Sequence, residues 1–185
     1  MGIFFSRVID SLFGKRQARI VMVGLDAAGK TTVLHKLAYN ETVETVPTIG
    51  FTLQQVTQGK LSFDVWDIGG QTELRHLWQH YYQGSDALIF VVDSTDPRKE
   101  EAQQALQNAL ESQDLNGIPV LILANKQDMP GAMKGEEVAD FLKLVTLENR
   151  KWYVQECSAV SGKGLFDGLK WLSDSVQEYW KNNKK

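Results

Sequence analysis

This 185-residue chain has a single cysteine, no long apolar run and little excess of charge of either sign. The one cysteine, Cys157, cannot form an internal disulfide, which fits a reducing compartment. No apolar run approaches the roughly 20 residues of a membrane-spanning helix, and the first residues lack the pattern of a secretory signal. With 20 basic and 23 acidic residues the net charge is −3, which argues against a protein that coats nucleic acid.

Short apolar runs alternate with amphipathic stretches along the chain, and no repeat or linker interrupts them. The pattern predicts strands at 19–23, 51–57, 60–67, 86–93, 118–124 and 152–157, and helices at 29–39, 72–82, 99–114, 135–144 and 165–181. The runs at 86–93 and 118–124 are nearly all apolar, as in strands covered on both faces. We therefore expect an α/β fold, with a mostly parallel sheet flanked by helices on both faces.

Residues 24–31 have the sequence GLDAAGKT, which matches the pattern G-x-x-x-x-G-K-[ST]. Glycines let the backbone wrap closely around a phosphate, toward which main-chain N–H groups and a helix N-terminus then point. The Lys30 ammonium suits the outer phosphates, and the Thr31 hydroxyl suits Mg²⁺. A chance glycine-rich turn could carry the same letters, but a predicted strand enters this stretch and a predicted helix leaves it. That context favours a phosphate-binding loop.

Two further motifs follow the predicted phosphate loop along the chain. Asp67 ends a predicted strand and opens a D-x-x-G stretch, so its carboxylate can hold Mg²⁺ through water while the Gly70 N–H bonds the terminal phosphate. Residues 125–128 (NKQD) follow a buried strand, and Asp128 can accept two hydrogen bonds from guanine that adenine does not offer. Residues 156–159 (ECSA) can offer a backbone N–H to guanine O6.

Together these motifs resemble those of the Ras-like small GTPases, and the strings at 24–32, 47–51 and 66–71 are similar to those of the Arf family. The resemblance covers almost the whole chain. It implies a P-loop NTPase fold with a six-stranded sheet, five strands of which are parallel. No motif identifies an arginine supplied in cis, although Arg75 and Arg98 are nearest by sequence. We therefore expect GTP hydrolysis to be slow until an activating protein donates an arginine.

The resemblance also implies roles for individual residues. Gln71 would orient the attacking water, and Lys30 would neutralise charge on the phosphates. Thr48, in an extended loop after a proline, would join Thr31 and Asp67 around Mg²⁺. The residues implied to bind GTP or GDP are Gly24, Asp26, Ala27, Ala28, Gly29, Lys30, Thr31, Thr32, Thr48, Gly70, Asn125, Lys126, Asp128, Cys157, Ser158 and Ala159.

The hairpin predicted between residues 51 and 67 has a second signal. Its second strand carries apolar residues at 61, 63 and 65 on one face, and Trp66 lies on the other, polar face. A tryptophan there is either an interaction residue or one that packs beneath a neighbouring loop. The Arf resemblance implies that Phe51, Trp66 and Tyr81 form an effector-binding triad. It also implies that the hairpin slides in register when the nucleotide changes.

The N-terminal segment carries a lipidation pattern. Residues 1–6 (MGIFFS) fit M-G-x-x-x-[ST], in which Gly2 accepts myristate. Large apolar residues recur at four-residue spacing between positions 4 and 13, and basic residues including Arg19 follow, which suits anionic lipid headgroups. The chain therefore divides into a myristoylated amphipathic helix, 1–17, and a GTP-binding domain, 18–185. An ordinary helix docked on the core would give the same pattern, and the resemblance implies docking with GDP and release with GTP.

Several partners are implied by the resemblance alone. They are a Sec7-type exchange factor, a GTPase-activating protein, and coat or tether effectors. The resemblance also implies a cytoplasmic protein that is a monomer with GDP and joins a Golgi or endosomal membrane in its GTP form. One alternative is an Arf-like regulator of cargo release or organelle organisation. Another is a nucleotide kinase, which Thr48 and the motif at 125–128 argue against.

Overall fold

Six strands form one sheet in the computed structural model, which describes residues 16–39, 50–58 and 61–183. The strands are β1 Arg16–Val23, β2 Phe51–Gln58, β3 Leu61–Ile68, β4 Ala87–Asp93, β5 Val120–Asn125 and β6 Trp152–Glu156. Their order across the sheet is β2-β3-β1-β4-β5-β6, and the β2–β3 pair alone is antiparallel. The expected sheet, with five parallel strands, is confirmed. Gly2, Thr48 and most of the predicted N-terminal helix lie outside the described residues.

The helices follow the predicted order, but some of them differ from the prediction in length and one in helix type. They are α1 Lys30–Tyr39, α2 Lys99–Leu110, α3 Gly135–Phe141, α4 Leu165–Asn182, and 3₁₀-helices Thr72–Tyr81, Gln113–Leu115 and Leu144–Thr146. The helix predicted at 99–114 ends at Leu110, because the backbone at Ser112 is extended and the chain turns to bury Leu115. The segment predicted as an ordinary helix at 72–82 is a 3₁₀-helix that buries Trp78. Among the described residues, no helix is both long and apolar enough to cross a membrane.

The core lies in two layers, one on each face of the sheet. Alternate residues of β4 supply both, with Ile89 in one layer and Phe90 in the other. Helices α1 and α4 cover the first layer, while α2, α3 and the Thr72–Tyr81 helix cover the second. Helix α4, predicted at 165–181, contributes Leu165, Leu169, Leu172 and Val176 to the buried core, with Trp180 packed beside them. The sheet is thereby fixed on both faces, and the loops at its carboxyl edge carry the motifs.

Candidate functional site

The phosphate loop connects β1 to α1 at the carboxyl edge of the sheet. Gly24 begins it with φ of +152°, and a Cβ added there would lie 2.3 Å from the Val91 carbonyl oxygen of β4. Only glycine lets the loop pass this close to the neighbouring strand. Ala27 has φ of +59°, which turns the loop toward the start of α1. The sequence therefore builds a tight backbone cradle just ahead of a helix N-terminus, which is suited to an anion.

Lys30 lies buried inside this cradle. Its Nζ donates hydrogen bonds to the carbonyl oxygens of Gly24, at 3.0 Å, and Leu25, at 2.8 Å. Burial lowers the pKa of Lys30 to about 8, against the opposing influence of the Asp67 and Asp26 carboxylates. An ammonium group held out of water in this way is poised for an anion, and the outer phosphates of a nucleotide supply one.

The Thr31 hydroxyl and the Asp67 carboxylate meet at the mouth of the cradle. Thr31 Oγ1 donates a 2.6 Å hydrogen bond to Asp67 Oδ2, and the Asp67 side chain is fully buried at the end of β3. Mg²⁺ prefers hard oxygen ligands, and a hydroxyl beside a buried carboxylate is such a set. These two residues therefore fit the predicted magnesium site, in which Thr31 would be a ligand and Asp67 would act through water. A Mg²⁺ ion held by these two residues would supply positive charge that offsets the charge of the phosphates.

Gly70 lies directly against the phosphate loop. The Asp26 N–H donates to the Gly70 carbonyl oxygen at 3.2 Å. A Cβ at Gly70 would lie 2.3 Å from the Gly24 carbonyl oxygen and 2.5 Å from the Asp26 nitrogen. Only glycine permits this approach, so the D-x-x-G segment reaches the end of the loop where a terminal phosphate would bind. Gln71 follows at once and begins the Thr72–Tyr81 helix.

This location leads to a prediction for Gln71→Leu. We expect single-turnover GTP hydrolysis to slow by at least about tenfold, because the variant lacks the amide that is predicted to orient the attacking water, while GTP affinity changes by less than about twofold. A matched control is Gln79→Leu, an exposed glutamine in the same helix. Quenched single-turnover assays measure both variants. Equal slowing in the control, or unchanged hydrolysis in Gln71→Leu, would contradict the assigned role.

Asn125 joins the phosphate loop to the loops that are predicted to bind the base. Its Nδ2 donates to the Ala28 carbonyl at 2.9 Å, and its Oδ1 accepts the Ala159 N–H at 2.9 Å. One buried side chain thus joins the phosphate loop, the loop after β5 and the loop after β6. Lys126 has φ of +67°, and its Nζ lies 2.6 Å from the Asp93 carboxylate. That ion pair sets the direction of the Lys126 stem, which is predicted to lie over the base, and Asp93 is a contributor that no motif identifies.

Asp128 is exposed at the edge of a cleft of about 240 Å³. The same cleft is lined by Cys157 and Ser158 from the loop after β6, the segment predicted to meet guanine O6. The Gln127 N–H donates to the Cys157 carbonyl at 3.1 Å, which fixes the two loops side by side. The structure therefore brings the two predicted guanine-reading segments together around one cleft.

Cys157 is a buried structural residue. Its thiol lies 3.8 Å from Asn125 Oδ1, and burial raises the pKa of the thiol to about 12, with a smaller contribution from the Asp128 charge. We predict that iodoacetamide at pH 8 labels the unfolded chain readily and the folded protein at least about a hundredfold more slowly, because so little thiolate exists in the fold. Mass spectrometry of timed samples measures the rates. Comparable rates would show that the thiol is accessible.

The three predicted interaction aromatics form one cluster. Ring centroids lie 5.1 Å apart for Phe51 and Trp66, 5.2 Å for Phe51 and Tyr81, and 5.7 Å for Trp66 and Tyr81. Phe51 is 49% exposed, and Leu53 beside it on β2 is 47% exposed. We call Phe51, Trp66 and Tyr81 the aromatic cluster. Its exposed apolar surface is of the kind that protein interfaces use.

Arg19 supports this cluster from β1. Its guanidinium carbon lies 4.4 Å from the Trp66 ring centroid, and Nη2 donates to the Tyr81 carbonyl at 3.1 Å. The sequence predicts Arg19 both at the start of a strand and among basic residues suited to lipid headgroups. Its position in a strand is confirmed, whereas its guanidinium packs on Trp66. Because side chains alternate between the faces of a strand, Arg19 lies on the same face of β1 as Val21, which is the face against which Trp66 packs. The signal for that position is an arginine that directly precedes the apolar residues 20–23 of the same strand.

Arg75 and Arg98, the two arginines that the sequence offers as candidates to act in cis, both reach the phosphate loop. Arg98 Nη1 lies 2.9 Å from Asp26 Oδ1, and Arg75 Nη2 lies 3.7 Å from the same oxygen. Arg75 Nε also donates to the Gly70 carbonyl at 3.0 Å. The predicted site residues at 24–32, 67, 70, 71, 125–128 and 157–159 therefore converge on the carboxyl edge of the sheet, with these two guanidinium groups beside them.

Two comparisons agree with this geometry. The family model of the ADP-ribosylation factor (Arf) family matches residues 5–176. The solved structure of the Arl6 (BBS3) small GTPase from Trypanosoma brucei, with the nucleotide analogue GppNp bound, superposes with a TM-score of 0.81 at 31% sequence identity. The match covers 88% of this chain and 99% of that one. The chain accordingly belongs to the Arf family, and it is a small GTPase that binds guanine nucleotide as a switch and hydrolyses GTP.

Proposed function

We propose that GTP brings this protein to a membrane surface, where the aromatic cluster binds effectors of vesicular trafficking. One observation carries the proposal, namely the bonding of the D-x-x-G segment to both sides of the cluster. The Gly69 N–H donates to the Gly50 carbonyl, just before β2, at 3.0 Å, and the Gly69 carbonyl accepts the Trp78 indole N–H at 2.9 Å. A terminal phosphate at Gly70 therefore acts on a segment tied to the strand that carries Phe51 and to the helix that carries Tyr81.

The membrane part of the proposal rests on the sequence before β1. Myristate on Gly2 would bind a bilayer only marginally, with K of about 10⁴ M⁻¹, so a second signal is needed. The apolar stripe between residues 4 and 13 supplies that signal when it is not docked on the protein. We accordingly propose an N-terminal membrane helix and a GTP-binding domain. The boundary predicted between residues 17 and 18 falls inside β1, which begins at Arg16, so the helix ends before that residue.

The proposed regulators are argued from the charges around the phosphate loop. Arg98 and Arg75 both face carboxylates, Asp26 and Glu101, so neither guanidinium is free of a counter-charge in this arrangement. That pairing supports slow intrinsic GTP hydrolysis. We propose that hydrolysis uses bound Mg²⁺ and becomes fast when an activating protein donates an arginine. We further propose a Sec7-type exchange factor, coat or tether effectors, a monomeric GDP form in the cytoplasm, and recruitment to Golgi or endosomal membranes. Similarity to Arl6, an Arf-like protein, favours one second candidate, a regulator of cargo release or organelle organisation.

Vesicle co-sedimentation tests the proposal. Myristoylated full-length protein is loaded with GDP or with a non-hydrolysable GTP analogue and mixed with vesicles of neutral and anionic phospholipids. We expect sedimentation mainly in the GTP-analogue form, and loss of binding in Gly2→Ala. A Trp66→Ala variant should still sediment, because the cluster is assigned to effectors and not to lipid. Equal binding with both nucleotides would refute a nucleotide-controlled membrane switch.

A further inference from the structure

Five charged side chains surround the outer end of the phosphate loop. We call them the Asp26 cluster, and they are Asp26, Arg75, Asp96, Arg98 and Glu101. They come from the phosphate loop, the Thr72–Tyr81 helix, the turn after β4 and helix α2. Three carboxylates and two guanidinium groups meet there, so the cluster carries a net negative charge beside a site for an anion.

Arg98 is the best-anchored member of this cluster. Its Nε and Nη2 bind both oxygens of Asp96, at 3.0 Å and 2.8 Å to Oδ2 and 3.1 Å from Nε to Oδ1. The Arg98 backbone N–H also donates to Asp96 Oδ1 at 2.9 Å. A guanidinium gripped along one edge in this way keeps its remaining donors in a fixed direction.

Those remaining donors are aimed at Asp26. Nη1 of Arg98 donates to Asp26 Oδ1 at 2.9 Å, and Nη2 donates to the Asp26 carbonyl oxygen at 3.2 Å. Arg98 thus binds both the side chain and the main chain of one loop residue. Partial burial opposes ionisation of Asp26, but the hydrogen bond and charge of Arg98 outweigh it and hold the pKa of that carboxyl below its usual value.

The Asp26 carboxylate is electrostatically unfavourable for the binding of a terminal phosphate. Its backbone N–H points to Gly70, at the end of the loop where a terminal phosphate would lie. An ionised carboxylate there repels a triphosphate more strongly than a diphosphate, because the triphosphate adds negative charge at the nearest point. A guanidinium that binds this carboxylate, and keeps it turned toward α2, reduces that repulsion.

We propose that Arg98 is a positioning residue that holds the Asp26 carboxylate and so sets the preference of the site for GTP over GDP. The residue acts through Asp26 and not by touching the phosphate. The proposal rests on the guanine-nucleotide site and is independent of membranes and effectors.

The test is a double-mutant cycle on nucleotide affinity. Equilibrium dissociation constants for GDP and for a non-hydrolysable GTP analogue are measured with Mg²⁺ for the unmodified protein, Arg98→Ala, Asp26→Asn and the double variant. We expect Arg98→Ala to lower the GTP-to-GDP affinity ratio by about tenfold, the scale of a charge-assisted hydrogen bond. Asp26→Asn should raise the ratio, and adding Arg98→Ala to it should change the ratio by less than about twofold.

Two further variants separate positioning from general structure and charge. Lys99→Ala removes the neighbouring exposed cation at the start of α2 and should leave the ratio unchanged. Arg98→Lys keeps the charge and should restore part of the ratio if Arg98→Ala folds poorly. An equal loss of affinity for both nucleotides would overturn the proposal in favour of a structural role. An equally large drop of the ratio in the Asp26→Asn background would also overturn it, because Arg98 would then act on the phosphate directly.

Discussion

The Asp128→Asn variant is expected to lose its preference for guanine and to gain one for xanthine. Asp128 lies at the edge of the cleft beside Cys157 and Ser158, where a carboxylate can accept hydrogen bonds from both N1–H and N2–H₂ of guanine. An asparagine amide offers a donor in place of one acceptor. The amide N–H₂ would therefore face the N2–H₂ donor of guanine. Xanthine carries a carbonyl oxygen in place of that N2–H₂, and this oxygen can accept the hydrogen bond.

The magnitude follows from unpaired polar groups in the cleft. A site built to bind specific hydrogen-bonding groups rejects a base that lacks them by two orders of magnitude or more. We expect GTP affinity to fall by about a hundredfold and the affinity for xanthosine triphosphate to rise above it. Competition binding with GTP, xanthosine triphosphate and ATP measures the three constants. The control is Asp140→Asn on the exposed face of α3, which should bind GTP normally. Unchanged GTP affinity in Asp128→Asn would show that the base lies elsewhere.

The Lys30→Ala variant should lose tight nucleotide binding while keeping its fold. The Lys30 ammonium is buried among main-chain carbonyl oxygens, and this burial lowers its pKa to about 8, so the charge is poorly solvated in the protein alone. Removing it deprives the outer phosphates of their buried counter-charge. Charged, hydrogen-bonded partners that lose one member in a buried site cost several kcal/mol, so we expect affinity for GTP and GDP to fall by about a thousandfold.

The same burial predicts the stability of this variant. Because the protein alone gains little from holding an unneutralised ammonium out of water, the nucleotide-free Lys30→Ala protein should melt within a few degrees of the nucleotide-free unmodified protein. Titration calorimetry gives the affinities and differential scanning calorimetry gives the melting temperatures. Lys170→Ala on the exposed side of α4 is the matched control. A variant that unfolds, or one that still binds GTP tightly, would contradict the assigned role of Lys30.

The parts of the site that the sequence predicts are those encoded by neighbouring residues. The phosphate loop is one contiguous stretch, and its glycines and Lys30 act where they stand. The D-x-x-G and N-K-x-D motifs are equally short, and parallel strands bring their ends to one edge of the sheet. The alternating apolar runs likewise predict both core layers, since β4 supplies each of them in turn.

The parts that the sequence does not predict depend on contacts between distant side chains. Arg98 meets Asp26 across 72 positions, and Arg19 meets Tyr81 across 62. Neither arginine belongs to a motif, so only the fold shows that one holds a loop carboxylate and the other supports the aromatic cluster. The 3₁₀ form of the Thr72–Tyr81 helix is likewise not marked in the sequence, and neither is the hydrogen bond from its Trp78 indole to the Gly69 carbonyl.

The central claim is that the terminal phosphate of GTP alters the segment that carries the aromatic cluster, and amide hydrogen exchange tests it most directly. The full chain, loaded with GDP or with a non-hydrolysable GTP analogue, is compared segment by segment. We predict changed exchange at β2, β3 and the Thr72–Tyr81 helix, with β4, β5 and α4 unchanged. Identical exchange of β2, β3 and that helix in both nucleotide states would contradict the claim.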